Sequence, residues 1–117
     1  MANPVTHFEV LGKDAGALQR FYGEAFGWQM QDVMEGAYYM ANPGVEGAIQ
    51  GGVGAAPGGS DGHVTFYVEV DDPAAALERI GQLGGKTVQE PMDVPEGPTI
   101  ALFADPEGHV LGLVKSR

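Results

Sequence analysis

Apolar and polar residues alternate along the first stretch of the chain, Val5 to Leu11, and this alternation predicts a β-strand. Phe8 and Val10 lie on one side of the predicted strand. His7 and Glu9 lie on the other side, where polar residues are unusual if both faces of the sheet are buried. The pattern therefore indicates that one face packs in the core, while the other faces solvent or a cavity.

A helix is predicted next, over Ala15–Phe26, because apolar residues recur there at spacings of three and four. Asp14 is suited to cap its first turn, and Gly27 can take the left-handed conformation that ends a helix. Three short strands are predicted to follow this helix: Trp28–Val33, Gly36–Met40 and Val45–Val53.

The same order of elements then begins again after a glycine-rich segment, Gly54–Gly62, which is predicted to be a linker. A strand is predicted over Val64–Val70, and Asp72 is suited to cap a second helix with Pro73 at its first position. A strand over Lys86–Glu90 and a hairpin over Thr99–Val114 complete the chain. The sequence therefore contains an internal repeat, and each copy spans about half of the chain.

Composition and charge narrow the possible functions. The chain has 117 residues, which suits one domain, and sixteen acidic against six basic residues give a net charge of −10. The basic residues are scattered, so neither a nucleic acid nor an anionic membrane is expected as a partner. There is no cysteine, and no apolar run is long enough to span a membrane. With no signal-peptide pattern at its start, the protein is expected in the cytoplasm.

Two motifs give the chain a resemblance to a known family: F-Y-G-E-A-F-G-W at Phe21–Trp28, and D-P-E-G at Asp105–Gly108 before an aliphatic last strand. Together with the repeat, they resemble the glyoxalase/bleomycin-resistance/dioxygenase (vicinal oxygen chelate) superfamily. The resemblance implies an α+β fold of two tandem βαβββ modules that form a cup-shaped sheet. It implies one domain over 1–117, with modules at about 1–54 and 63–117, a small-molecule ligand and a homodimer.

The resemblance also implies a metal site in some members, where four strands each supply one ligand to a divalent cation such as Zn, Ni, Mn or Fe. His7 matches the ligand on the first strand of the first module. Thr65 stands at the equivalent place in the second module, and Gly112 stands where a glutamate is expected. Gln50 is the ligand-capable residue on the last strand of the first module. Because a stable site needs about three protein ligands, no cofactor is predicted.

Three functions remain open from the sequence, and whether the chain is an enzyme is left undecided. The first is a metal-free protein that binds a hydrophobic or aromatic ligand in the cup. The second is a metal-dependent lyase, isomerase or dioxygenase that uses His7, Gln50 and His63, with Glu90 as a further carboxylate. The third is a metal-free enzyme in which His7 and Glu9 transfer protons. The predicted ligand-binding residues are His7, Glu9, Tyr39, Gln50, Thr65, Tyr67 and Met92.

Overall fold

The structure is a computed structural model that describes residues 2–95 and 97–116. These residues fall into two compact units. The first unit is His7–Thr65, and the second consists of residues 2–6 together with the described residues from Phe66 onward. The secondary structure runs strand, helix and three strands twice, which confirms the predicted α+β fold of two βαβββ modules.

Two helices and eight strands make up the described residues. They are β1 (Val5–Gly12), α1 (Ala15–Phe26), β2 (Gln29–Asp32), β3 (Tyr38–Asn42), β4 (Gln50–Ala55), β5 (His63–Val70), α2 (Pro73–Gln82), β6 (Lys86–Asp93), β7 (Thr99–Ala104) and β8 (Val110–Lys115). A short 3-10 turn, Pro57–Gly59, lies between β4 and β5. Neither helix in this part of the chain is long and apolar enough to cross a membrane.

Two strands of the first unit begin later than the sequence predicts. The prediction that a strand starts at Gly36 is wrong, because Gly36 has a φ of 85° and its amide donates to Oδ1 of Asp32, at 2.9 Å, in a tight turn. The prediction that a strand starts at Val45 is also wrong. Gly44 and Gly47 both have left-handed φ values, 75° and 84°, so this segment turns before it can pair.

In the first unit the strands lie in the order β2-β3-β4-β1, with β1 parallel to β4 and the other pairs antiparallel. Val10, Ala41 and Val53 are buried at the centre of one face. Leu18 of α1 packs against this cluster. The apolar side of α1 therefore covers the face of the sheet that carries Val10. The opposite face, which carries His7 and Glu9, is left for another role.

Trp28, the chain's one tryptophan, is the last residue of the aromatic motif, which begins in the second half of α1 and ends just after it. Gly27 has a φ of 73° and turns the chain sharply after α1. Trp28 then stacks on Tyr22, with ring centroids 5.9 Å apart and planes 12° apart, and it also contacts Phe8 of β1 at 5.2 Å. The motif thus joins helix, turn and strand into one aromatic cluster.

The second unit repeats this arrangement, with strand order β5-β8-β7-β6 and a parallel β5–β8 pair. Its core contains Val70, Leu77, Ala101 and Leu113. The helix caps are also repeated. Asp14 accepts a hydrogen bond from the amide of Ala17 at 3.0 Å, and Asp72 accepts one from the amide of Ala75 at 3.2 Å. The predicted caps are therefore confirmed in both modules.

The turn between β7 and β8 is held by the side chain of Asp105. Its Oδ1 accepts hydrogen bonds from the amides of Glu107 and His109, both at 2.9 Å, and its Oδ2 lies 2.9 Å from Nδ1 of His109. The backbone hydrogen bond from His109 is the main reason why the pKa of Asp105 lies below its usual value. The predicted hairpin is confirmed.

Gly62 should be the least replaceable residue of the segment between the modules. It has a φ of 87°, and a Cβ atom there would overlap the carbonyl oxygen of Leu11. We expect Gly62→Ala to lower the free energy of unfolding by about 1–3 kcal/mol beyond the loss in Gly58→Ala, because both substitutions strain the backbone but only the first adds a clash. Gly58 has a φ of 62° and open space around it.

Urea unfolding followed by the fluorescence of Trp28 measures both losses. Equal losses in the two variants would mean that the contact between Gly62 and Leu11 does not matter for stability.

Candidate functional site

The sheet of the first unit brings several polar residues to the face that α1 does not cover. Residues directly opposite each other on paired strands point to the same side of a sheet, as do residues two apart on one strand. His7 is paired with Gln50, Glu9 with Gly52, and Gly52 with Met40. We call this surface the site face; its side chains include His7, Glu9, Tyr38, Met40 and Gln50.

Glu9 is the centre of the site face. It is 9% exposed, and a carboxylate this buried requires hydrogen-bond partners. The Tyr38 hydroxyl donates to its Oε2 at 3.0 Å. Nε2 of His63 lies 2.9 Å from its Oε1, an ion pair whenever His63 is protonated. His63 therefore belongs to the site through Glu9, although the sequence suggests it only as a metal ligand.

His7 extends this network on the other side of Tyr38. Its Nε2 lies 3.5 Å from the Tyr38 hydroxyl oxygen, which is a long contact. Burial lowers the pKa of His7 below its ordinary value of 6.5, and the nearby charge of Glu9 offsets this only in part. His7 is therefore mainly neutral at pH 7, with one ring nitrogen able to donate and the other able to accept.

Tyr38 reaches Glu9 only because β4, which lies between their strands, carries glycine at two positions. Strands are about 4.8 Å apart, so a side chain of β3 must cross the whole width of β4 to contact β1. A Cβ atom at Gly52 would overlap the hydroxyl of Tyr38, and one at Gly54 would overlap its ring. The tyrosine ring therefore packs directly against the backbone at these two glycines.

The structure brings some of the predicted site residues together and separates others. Gln50 lies beside His7 on the site face and is exposed. Tyr39 is paired with Val53 and so faces the core side of the sheet. Thr65 is buried within the first unit. Tyr67, which is buried, and Met92, which is 46% exposed, belong to the second unit. Ligand binding by these residues stays a prediction.

Tyr38 and Met40 are the members of the site face that the predicted ligand-binding residues do not include, and Tyr38 is the one that contacts Glu9. Two adjacent tyrosines, Tyr38 and Tyr39, must point to opposite faces of a strand, and the sequence alone does not show which one faces Glu9. The signal that could have found it is the spacing of Gly52 and Gly54. Two glycines that share one face of a neighbouring strand leave room for one large ring.

The four-ligand metal site that the resemblance implies does not fit the residues present. In the second unit Tyr67 is paired with Gly112, and the Tyr67 ring fills the space that a Cβ at Gly112 would need. Glu9 and Tyr67 each stand five residues before their helix cap, so Gly52 is the counterpart of Gly112. Gln50, the ligand-capable residue, lies two residues earlier. Within residues 2–95 and 97–116, no group of three or more His, Asp or Glu is placed to hold a metal ion.

Comparison with known proteins agrees with this architecture. The sequence profile of the Glyoxalase/Bleomycin resistance protein/Dioxygenase superfamily matches residues 5–113. The chain belongs to this superfamily. Over 106 residues it is 29% identical to a protein of Mycobacterium tuberculosis that carries the provisional name glyoxylase CFP32. The match covers 86% of this chain but only 41% of CFP32, so this superfamily member spans less than half of that relative.

Solved structures of the superfamily share the fold at low sequence identity. A superfamily member from Vibrio splendidus has a TM-score of 0.66 and 15% identity, and the match covers 98% of this chain and 100% of that one. Methylmalonyl-CoA epimerase from Mycobacterium tuberculosis has a TM-score of 0.65 and 17% identity, with 97% and 87% covered. At these identities the likeness concerns the fold alone.

The lowered pKa of His7 predicts a pH dependence of stability. The unfolded chain takes up a proton on His7 at higher pH than the folded protein does, so protonation favours unfolding. The free energy of unfolding should be highest above pH 6.5. It should fall as the pH drops below 6.5, and this fall should level off below the pKa of His7 in the folded protein. We expect His7→Gln to remove this part of the loss, about 1.4 kcal/mol for each pH unit by which the pKa is lowered.

Urea unfolding between about pH 5 and pH 8 measures this effect, in a range above the titration of Asp105. His109→Gln is the matched control, because the side chain of His109 is 70% exposed. If His7→Gln keeps the full pH dependence of the unmodified protein, the burial of a neutral His7 is not its cause.

Proposed function

We propose that this superfamily member binds a small organic molecule on the site face, and that it does so without the divalent metal of its metal-dependent relatives. One observation carries the proposal. Gly52 and Gly112 occupy the last-strand positions where the metal-dependent relatives carry ligands, and each is covered by a tyrosine ring. Glycine has no side chain with which to bind a metal, and the ring leaves no room for one.

The first-strand positions support the same proposal. His7 is present, but Thr65 replaces the second histidine, and a neutral hydroxyl is a poor ligand for a transition metal. The substitute that the sequence suggests, His63, has its Nε2 engaged with Glu9 at 2.9 Å. With one of four positions kept, the metal-dependent lyase, isomerase or dioxygenase has less support than the metal-free binding protein.

The proposed ligand is hydrophobic or aromatic with at least one polar group. The Tyr38 ring and the Met40 side chain provide apolar surface beside the Glu9 carboxylate. Small-molecule sites commonly combine such apolar surface with a few placed polar groups. We therefore propose that Tyr38 and Met40 contact the apolar part of the ligand, while Glu9 fixes its orientation.

A second candidate function, proton transfer by His7 and Glu9, is favoured by the chain of contacts that joins them through Tyr38. A neutral histidine and a carboxylate are both able to accept a proton at pH 7. If this function holds, His7→Gln and Glu9→Gln should each abolish turnover of a substrate that binds. Unchanged turnover in both variants would mean that His7 and Glu9 do not transfer protons, and only the binding function would remain.

Metal content tests the proposed function directly. We expect the protein, purified without an affinity tag, to carry less than about a tenth of an equivalent of Zn, Ni, Mn or Fe. A site with three protein ligands would retain its metal during purification, so a low metal content means that such a site is missing. Elemental analysis makes the measurement, with a metal-dependent superfamily member purified in the same way as the control. One equivalent of bound metal would overturn the proposal.

Calorimetric titration with a panel of aromatic compounds tests binding itself. At least one compound should bind with one-to-one stoichiometry, and Glu9→Gln should weaken it about tenfold, because a hydrogen bond to a charged group contributes about 1.5–3 kcal/mol. Glu24→Gln, which changes an exposed residue of α1, should leave the affinity unchanged. A compound that Glu9→Gln binds equally well would not be using the site face.

A homodimer and a cytoplasmic location are parts of the proposal that rest on the resemblance and on composition. Sedimentation equilibrium over a range of protein concentrations measures the first, and a mass of one chain at all concentrations would reject it.

A further inference from the structure

The side of α1 that faces away from the sheet also carries apolar residues. Ala17, Phe21 and Ala25 are spaced four residues apart, so they form one stripe along the helix, and all three are exposed. Phe21 is 62% exposed, and its ring packs edge-on against Tyr22, with centroids 5.1 Å apart. We call this surface the α1 stripe. Contiguous exposed apolar residues, unlike single ones, commonly mark an interaction surface.

Two charged residues of opposite sign border the α1 stripe. Arg20 and Glu24 are both exposed, and they line the same hollow as the three apolar residues. Among the residues that the structure describes, neither of the two has an ion-pair partner. A pair within the helix is weak in this order, with the basic residue four positions before the acidic one. Both charges are therefore available to a partner.

A second copy of the same helix, packed antiparallel, matches this pattern. A two-fold axis at Phe21 brings the two Phe21 rings together and places Ala17 of one copy against Ala25 of the other. The small alanine side chains allow the helix axes to approach to about 8–10 Å. Arg20 of each copy then lies within about 3 Å, measured along the helix axis, of Glu24 of the other, because a helix rises about 1.5 Å per residue. The surface is thus self-complementary in both shape and charge.

The charge of the chain favours a second copy over a partner of one sign. The net charge of −10 makes two copies repel each other over most of their surface. The α1 stripe is bordered by one positive and one negative charge, so it is locally neutral. A basic or an acidic partner would attract one of these charges and repel the other, whereas an antiparallel second copy pairs with both.

We propose that two copies of this chain associate through the α1 stripe, with the two helices antiparallel and Phe21 at the centre of the contact. The inference rests on the homodimer of the proposed function and names its surface. A helix of 12 residues is about 18 Å long, so one pair of helices covers less than the about 800 Å² per partner that stable interfaces bury. The dimer should therefore dissociate at micromolar concentrations.

Sedimentation equilibrium of the full chain, between about 1 μM and 1 mM, tests the inference. We expect Phe21→Ala to weaken association at least about tenfold, because both copies lose the ring at the centre of the contact. Leu83→Ala is the matched control, because Leu83 at the end of α2 is also 62% exposed, and it should leave the dissociation constant unchanged. Circular dichroism checks that each variant is folded.

Charge variants test the antiparallel orientation. Arg20→Glu and Glu24→Arg should each weaken association at least about tenfold, because each places like charges opposite one another on both sides of the axis. Glu24→Arg also lowers the net negative charge, so it would strengthen a dimer that is limited only by general repulsion. The double variant Arg20→Glu/Glu24→Arg should restore association, and so should a mixture of the two single variants. Arg79→Glu, at an exposed residue of α2, makes the same charge change as Arg20→Glu and should have little effect.

A chain that stays monomeric at the highest concentration would overturn the inference. So would a double variant as weak as the single ones, or a dimer whose dissociation constant is the same in Phe21→Ala and in both charge variants. That last result would keep the homodimer and reject only the α1 stripe as its surface. Failure of the proposed ligand binding without metal is a separate result, because it shows in calorimetry and in metal content.

Discussion

Burial of the Glu9 carboxylate is the constraint on which the candidate site depends. Moving a charged group out of water is costly unless hydrogen bonds replace the lost solvent, so a residue that is 9% exposed dictates what stands around it. The Tyr38 side chain must cross β4 to reach the carboxylate, and His63 must be the first residue of β5. Glycine is needed at positions 52 and 54 of β4 because any larger residue there would overlap the Tyr38 side chain.

The two modules share their scaffold but differ at this site. Both keep an aspartate cap, an amphipathic helix and a parallel pair between the first and last strands. The residues at the centre differ, with Glu9 opposite Gly52 in one module and Tyr67 opposite Gly112 in the other. In each case a tyrosine ring occupies the space next to glycine, but it comes from β3 in the first unit and from β5 in the second. Fold and site chemistry thus vary separately.

Much of the fold could be predicted from the sequence, because its signals are local. The caps at Asp14 and Asp72 and the turn at Asp105 depend on residues within a few positions of each other, and all three appear as expected. The site is harder to predict, because Glu9 and Tyr38 are 29 residues apart in sequence and meet across a third strand. Alternation also gives each strand two faces without saying which is covered, so the sequence does not show whether Tyr38 or Tyr39 faces Glu9.

The repeated helix caps and strand pairings have a consequence for protein engineering. Since each module carries its own cap, helix and core, its scaffold does not depend on which side chains fill the uncovered face of its sheet. A chain assembled from two copies of the first repeat would therefore keep the aspartate cap, the amphipathic helix and the parallel strand pair in both halves. Each half would carry Glu9, Tyr38 and the glycines beneath the tyrosine ring, but His63, which β5 supplies in the natural chain, would be absent.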